Sequence, residues 1–326
     1  MSLKGFIDLQ VNGYLGVDFS EPGLTLDDVR RVTETLVLRG TLAYCPTVIT
    51  ASWETYVQNL PVLAQAMETP DLQPHLLGLH LEGPFISPED GARGAHPRPS
   101  TRNPDLEFFE RLLALAEGNV SIVTVAPELP GAGDLIRHIA GKGIAVFLGH
   151  HLAGPKQIDR ACQAGALAST HLGNGLPNML PRHMNPIWDQ LAEERLTALL
   201  ITDGHHIPDN FIRVVSKVKS PQQLAVTSDS APVAGMPPGR YDTLGQKVVL
   251  EESGRLWNPV GQHLVGSSSS MMECMNYLAA LNLMEEEDLC LVGYHNPLRL
   301  VGKKLPADQF ARLPSLTYAE GSFSLK

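Results

Sequence analysis

Cysteine is scarce in this chain and unpatterned: four residues among 326, Cys45, Cys162, Cys274 and Cys290, with no C-x-x-C pair. That excludes a disulfide framework and makes a reducing cytosol the expected compartment, so the chain is read as cytoplasmic. The opening Met1-Ser2-Leu3-Lys4 lacks the apolar core of a secretory signal. No apolar run reaches the ~20 residues that a membrane helix needs, so no membrane partner is expected. Basic excess is missing as well. Lys and Arg number 25 against 35 Asp and Glu, a formal net charge of −10, which argues against non-specific nucleic-acid binding. An anionic ligand is still admissible where donors gather locally. Internal repeats, low-complexity tracts and linkers are absent too. With 43% hydrophobic and 18% charged residues, the chain reads as one globular domain over 1–326.

What is present is one design repeated. Eight short apolar or β-branched runs can be read as strands: Phe6–Val11, Leu42–Pro46, Leu76–Leu81, Ser121–Ala126, Ile144–Leu148, Leu167–Thr170, Leu196–Thr202 and Leu224–Ser228. Most are continuously apolar, as strands buried on both faces are. Helical segments fall between them, near Trp53–Met67, Pro104–Glu117, Asp134–Gly141, Lys156–Ala164 and Pro208–Lys219. The first helix opens on a capping-box-like Thr25-Leu26-Asp27-Asp28 and closes at Gly40. Eight strand–helix alternations predict an α/β fold, a (β/α)8 TIM-type barrel, in preference to a doubly wound open sheet. Ala231–Gly266, rich in Gly and Pro, is expected to be irregular. Met271–Leu283 and Glu285–Val301 read as closing helices.

The residues at the ends of these runs carry the chemistry. The run LGLHLEGP delivers Glu82, VFLGHH delivers His150, ASTHLGN delivers His171 and LAVTSDS delivers Asp229. In a barrel, strand C-termini form the active face. Each residue alone has a structural reading: a buried carboxylate at even odds, a satisfied core histidine more often than not, a cap. Together they do not, because burying an unpaired carboxylate costs several kcal/mol and a cation removes that cost. One Glu and two His with open positions form a catalytic zinc-type ligand set, which iron or manganese also fits. Asp229 beside it suits the proton transfers of hydrolysis. Gln10-Val11-Asn12 ends the first strand. Its neutral side chains are weak ligands, so one metal is expected, not two. Arg182 and His206 are candidate anion binders, while His96 in GAHP reads by itself as a plain loop histidine.

These segments resemble the N-acetylglucosamine-6-phosphate deacetylase family of the amidohydrolase superfamily, in order and over nearly the whole chain. GFIDLQVNG at 5–13, PTVIT at 46–50, HLEGPFISPEDGARGAHP at 80–97, VTVAPE at 123–128, GHHLA at 149–153, THLGN at 170–174, DGHH at 203–206 and LVGSSSSM at 264–271 carry the resemblance. It implies that Glu82, His150 and His171 bind one divalent metal, with Asp229 as acid/base and His96 contacting the substrate carbonyl. Asn174 and Gly175, whose second position is often Ala in the family, would hold the phosphate through their backbone, together with Arg182 and His206. The family's arginine comes from the neighbouring subunit, which implies a homodimer. Gln10 joins the substrate-binding set and marks the single-metal branch.

The sequence departs from the family in three places. It begins at strand one, its end after Pro306 is short for the family's small β-sandwich, and GLPNMLPRHMNPIW around Arg182 is unusual wording. The expected fold is therefore the barrel without that sandwich. The expected reaction is hydrolysis of the acetamide of N-acetylglucosamine 6-phosphate. The alternatives are an amidohydrolase acting on another N-acylated sugar or small amide, and a catalytically silent binding barrel.

Overall fold

A computed structural model describes residues 3–326; Met1 and Ser2, which enter the signal-peptide reading, lie outside the described residues. Eight parallel strands follow one another around a barrel: β1 (Phe6–Val11), β2 (Thr41–Ile49), β3 (Leu79–Glu82), β4 (Val120–Val125), β5 (Ala145–Leu148), β6 (Ala166–Ser169), β7 (Thr197–Leu200) and β8 (Leu224–Val226). Each pairs in parallel with the next. Ile7, Ala43, Ile122, Phe147, Ala168, Leu199 and Ala225 share one buried cluster. Side chains drawn from β1, β2 and β4 through β8 can meet in this way only inside a closed sheet, so the barrel is a packed core.

The seam between first and last strands is closed by polar groups. The Asn12 amide donates to the Ser230 carbonyl at 2.9 Å. Below it lies Asp8, which is 1% exposed. Its carboxylate accepts from the Thr227 hydroxyl at 2.7 Å, from both the amide and the hydroxyl of Ser228, and from the Gln10 amide. Burial raises the Asp8 pKa, opposed by these hydrogen bonds.

Helices cover the outside: α1 (Leu26–Leu38), α2 (Trp53–Glu68), α3 (Leu106–Leu115), α4 (Ala132–Gly141), α5 (Pro155–Ala164), α6 (Pro186–Ala192), α7 (Asp209–Val218) and α8 (Met271–Ala280). Helix α1 shows how sequence dictates this layer. Thr25 and Asp28 form a reciprocal capping box, and Val29, Val32, Thr33 and Leu36 repeat at helical spacing on the buried face. The four cysteines are unpaired. No helix among the described residues is long and apolar enough to cross a membrane.

Three segments differ from their sequence reading. Helix α6 was not expected; it is only seven residues long and follows a proline-rich loop. The segment expected to be irregular holds a four-stranded antiparallel sheet, β9 (Gly239–Thr243), β10 (Gln246–Leu250), β11 (Leu256–Asn258) and β12 (His263–Leu264). Its strands are short and punctuated by glycines, so the alternation signal is weak. The expected helix over 285–301 is interrupted by a π-helical turn at Leu291–His295. Pro297 has no N–H to continue the ordinary ladder there. A hairpin, β13 (Leu316–Ala319) with β14 (Ser322–Leu325), packs on α8, with Phe323 edge-on to Phe6 at 5.0 Å.

Candidate metal and substrate site

Glu82 is the last residue of β3, while His150, His171 and Asp229 lie just past β5, β6 and β8. The latter three have left-handed backbones, with φ of 52°, 28° and 51°. This conformation is uncommon for non-glycine residues, and here three strand ends share it at one mouth. All four side chains are buried and line a cavity of about 800 Å³.

The donor atoms converge. Glu82 Oε1 lies 3.2 Å from His150 Nε2 and 3.0 Å from His171 Nε2, and the two Nε2 atoms are 3.1 Å apart. A tetrahedron built on bonds of about 2.0–2.1 Å has edges of about 3.3–3.4 Å. The Nδ1 of His150 lies 2.9 Å from the Ala92 carbonyl. A carbonyl only accepts, so Nδ1 carries the proton and Nε2 presents a lone pair. A lone pair facing a second imidazole nitrogen and a carboxylate is the donor set of a cation. Glu82, His150 and His171 therefore fit a divalent metal, and all three line the cavity. The surroundings leave room only for hydrogen against the His150 ring. A Cβ on Gly175 would stand 2.8 Å from His150 Nδ1, and one on Gly94 would stand 3.0 Å from Cε1.

A polar layer lies beside Glu82 and His171. His80 Nδ1 bonds the Leu9 carbonyl at 3.0 Å, so its Nε2 accepts from the Thr124 hydroxyl at 2.8 Å. Thr124 in turn pairs with Thr170 at 2.9 Å. These groups lie one or two residues before Glu82 and His171, and they tie β1, β3 and β4 to the chain just past β6.

Electrostatics separate the two carboxylates. Burial opposes ionisation of Glu82, but His150 and His171 outweigh it and hold its pKa well below the usual range. Burial, then the charge of Glu82, pushes Asp229 up to about 6. Gln10 bridges the pair: its Nε2 donates to Glu82 Oε1 at 2.7 Å and to Asp229 Oδ1 at 2.9 Å. Asn12 Nδ2 donates to the same Asp229 oxygen at 2.7 Å. Both amides thus turn their nitrogens toward carboxylates.

His96 is buried, with Nε2 3.2 Å from His150 Nε2 and 3.7 Å from Glu82 Oε2. Asn174, Gly175 and His206 line the same cavity. His206 Nδ1 donates to Asp203 at 2.8 Å. Burial opposes charge on Asp203, but His206 and nearby backbone amides hold its pKa far down. Two predicted residues stand apart. Gln10 lies behind the cavity, against the carboxylates, and Arg182 is exposed and outside the lining.

Sequence reading missed three groups here. Arg93 and Arg255 line the cavity, and Thr50 touches His96. Arg93 is committed to the His96 carbonyl and to Asp90. Arg255 lies over the Trp257 ring at 4.7 Å, with Glu251 no nearer than 4.0 Å. Its hairpin is seated on the loop carrying His206, where His205 Nε2 donates to the Ser253 carbonyl at 3.0 Å, and on the segment before α8, where Ser268 donates to the Gly254 carbonyl at 2.6 Å. No spacing in the sequence marks Arg255, since the sheet that places it was unread.

No family model matches the chain. The N-acetylglucosamine-6-phosphate deacetylase of Bos taurus is 36% identical over 310 residues, covering 91% of this chain and 74% of that protein. Among solved structures, N-acetyl-D-glucosamine-6-phosphate deacetylase from Mycobacterium smegmatis superposes with a TM-score of 0.84 at 27% identity, covering 94% of this chain and 79% of that one. A single-residue mutant of that enzyme, in complex with N-acetyl-D-glucosamine-6-phosphate, gives 0.84 at 26% identity, with coverage of 92% and 77%.

Proposed function

The chain belongs to the N-acetylglucosamine-6-phosphate deacetylase family, and from that premise we propose that it hydrolyses N-acetylglucosamine 6-phosphate to glucosamine 6-phosphate and acetate. The observation that carries this reading is the convergence of Glu82, His150 and His171 beside Asp229 in one cavity. We assign these three residues one divalent cation, with zinc first and iron or manganese next. When bound, such an ion supplies Lewis acidity and acidifies water. A second ion finds no ligand pair at Gln10 and Asn12, whose nitrogens face carboxylates.

The protein's own groups then divide the work. Asp229 takes a proton from the attacking water as the new C–O bond forms at the acetamide carbon. It returns that proton to the nitrogen as the C–N bond breaks, so amine and acetate leave in balance. His96 hydrogen-bonds the carbonyl oxygen as negative charge develops there. Gln10 holds Glu82 and Asp229 in register. The Asn174–Gly175 backbone, His206 and Arg255 hold the phosphate and so orient the amide. Arg182, exposed and outside the lining of its own cavity, serves that of a second copy in a homodimer. Residues 1–326 act as one domain, because the sheet and the barrel line the same cavity. Unpaired cysteines suit a cytoplasmic location.

Acetate release by zinc-loaded protein, compared on phosphorylated and free sugar, tests the reading. Two charge-assisted contacts favour the phosphorylated sugar by at least ~10²-fold in kcat/KM. Arg182→Ala should erase much of that preference and spare the free sugar. Equal turnover of both sugars by wild type would leave an amidohydrolase of another N-acylated substrate. Elemental analysis should give one metal per chain, and two would overturn the assignment of Gln10 and Asn12.

A further inference from the structure

His96 and His150 present their Nε2 atoms to each other at 3.2 Å, yet they need opposite properties. A ligand histidine offers a lone pair, whereas a group that stabilises a carbonyl oxygen offers a proton. On a neutral imidazole only one nitrogen carries the proton, so each ring's outer partner decides what its inner nitrogen can do.

Those partners can be read without ambiguity. His150 Nδ1 faces the Ala92 carbonyl at 2.9 Å, which can only accept, so the proton is on Nδ1. His96 Nδ1 faces the backbone N–H of Thr50 at 3.2 Å, which can only donate. The Thr50 hydroxyl lies 3.0 Å from the same nitrogen. A ring nitrogen that accepts from an amide carries no proton, so the proton of His96 is on Nε2. The two rings are thereby locked in opposite tautomers: across the 3.2 Å contact His96 presents an N–H and His150 a lone pair.

One loop supplies both halves of this arrangement. Ala92 and His96 are four residues apart, and the intervening chain is pinned. Arg93 donates to the His96 carbonyl, and Gln246 of β10 donates to the Ala95 carbonyl at 3.2 Å. Thr50 follows directly on β2 and is 1% exposed, so its amide direction is set by the barrel itself.

We propose that Thr50 is a positioning residue that fixes His96 as the Nε2–H tautomer, while the Ala92 carbonyl fixes His150 in the opposite one. His96 then meets the acetamide oxygen with a proton. The reverse tautomer would meet it with a lone pair and repel the developing oxyanion. The effect on turnover rests on His96 being the carbonyl contact proposed above; the tautomers themselves do not.

The test uses the full chain, zinc-loaded and labelled with 15N-histidine. The His96 and His150 signals are identified by their loss in His96→Gln and His150→Gln. Two-bond 1H–15N couplings should show Nε2–H for His96 and Nδ1–H for His150. A His96 carrying Nδ1–H would overturn the proposal. Thr50→Val keeps the amide and removes the hydroxyl. It should lower kcat on N-acetylglucosamine 6-phosphate roughly 2–10-fold, the kinetic equivalent of one neutral hydrogen bond. KM and zinc content should stay unchanged, and Thr50→Ser should restore kcat. Wild-type turnover by Thr50→Val would sink the hydroxyl's role. If Thr50→Val does not fold, the wild-type tautomers still decide. A wild type with the expected tautomers but no acetate release would refute the deacetylase reading and leave the tautomer assignment standing.

Discussion

At the scale of single residues, Asp229 and Glu82 show how two carboxylates in one cavity come to differ. Glu82 is surrounded by imidazoles and held ionised. For Asp229, burial and the charge of Glu82 outweigh His171, His206 and the Asn12 amide, which leaves it at about 6, near the working range of a proton shuttle. Asp229→Asn keeps an oxygen for the Gln10 and Asn12 donors but removes the proton acceptor. It should retain a full complement of metal by elemental analysis, while kcat falls ~10²–10⁴-fold. A variant that keeps wild-type turnover would place the acid/base elsewhere.

Among elements, the sheet β9–β12 is the part that most changes the picture of the site. It carries Arg255 to the side of the cavity where the His206 loop lies, and it carries Gln246 to the loop that holds His96. Arg255→Gln should raise KM for the phosphorylated sugar roughly tenfold or more, as loss of a charge-assisted contact does, and leave kinetics on the free sugar unchanged. An unaltered KM would remove Arg255 from the phosphate site. This sheet also marks the limit of what the sequence disclosed. Glu82, His150, His171 and Asp229 could be read because each interrupts an apolar run at a strand end, a local signal with a direct chemical meaning. The eight barrel strands were legible for the same reason, through continuous burial. Thr50, Gln246 and Arg255 were not, since each acts through a partner or cavity formed far along the chain: Gln246 meets Ala95 across 151 positions. Helix α6 was missed because seven residues are too few to show a helical period.

For the molecule as a whole, closure of the barrel rests on a buried acid. An Asp in an unfolded chain titrates near 3.9, and folding raises the Asp8 value, mainly by burial. Between those two values the native state binds more protons than the unfolded state, so stability falls as pH rises through the window. Asp8→Asn keeps an acceptor oxygen for Thr227 and Gln10 and has no charge to desolvate. Denaturant midpoints measured from pH 4 upward should therefore fall for wild type relative to this variant, and a constant difference would refute the assignment. The same seam dictates an order of events during synthesis. Asp8 and Ser228 are 220 residues apart, and all eight strands must exist before they can meet. A chain emerging from the ribosome has presented Glu82, His150 and His171 well before Asp229 appears. The three residues proposed to hold a cation are thus all present in a growing polypeptide that still lacks the carboxylate proposed to work beside them.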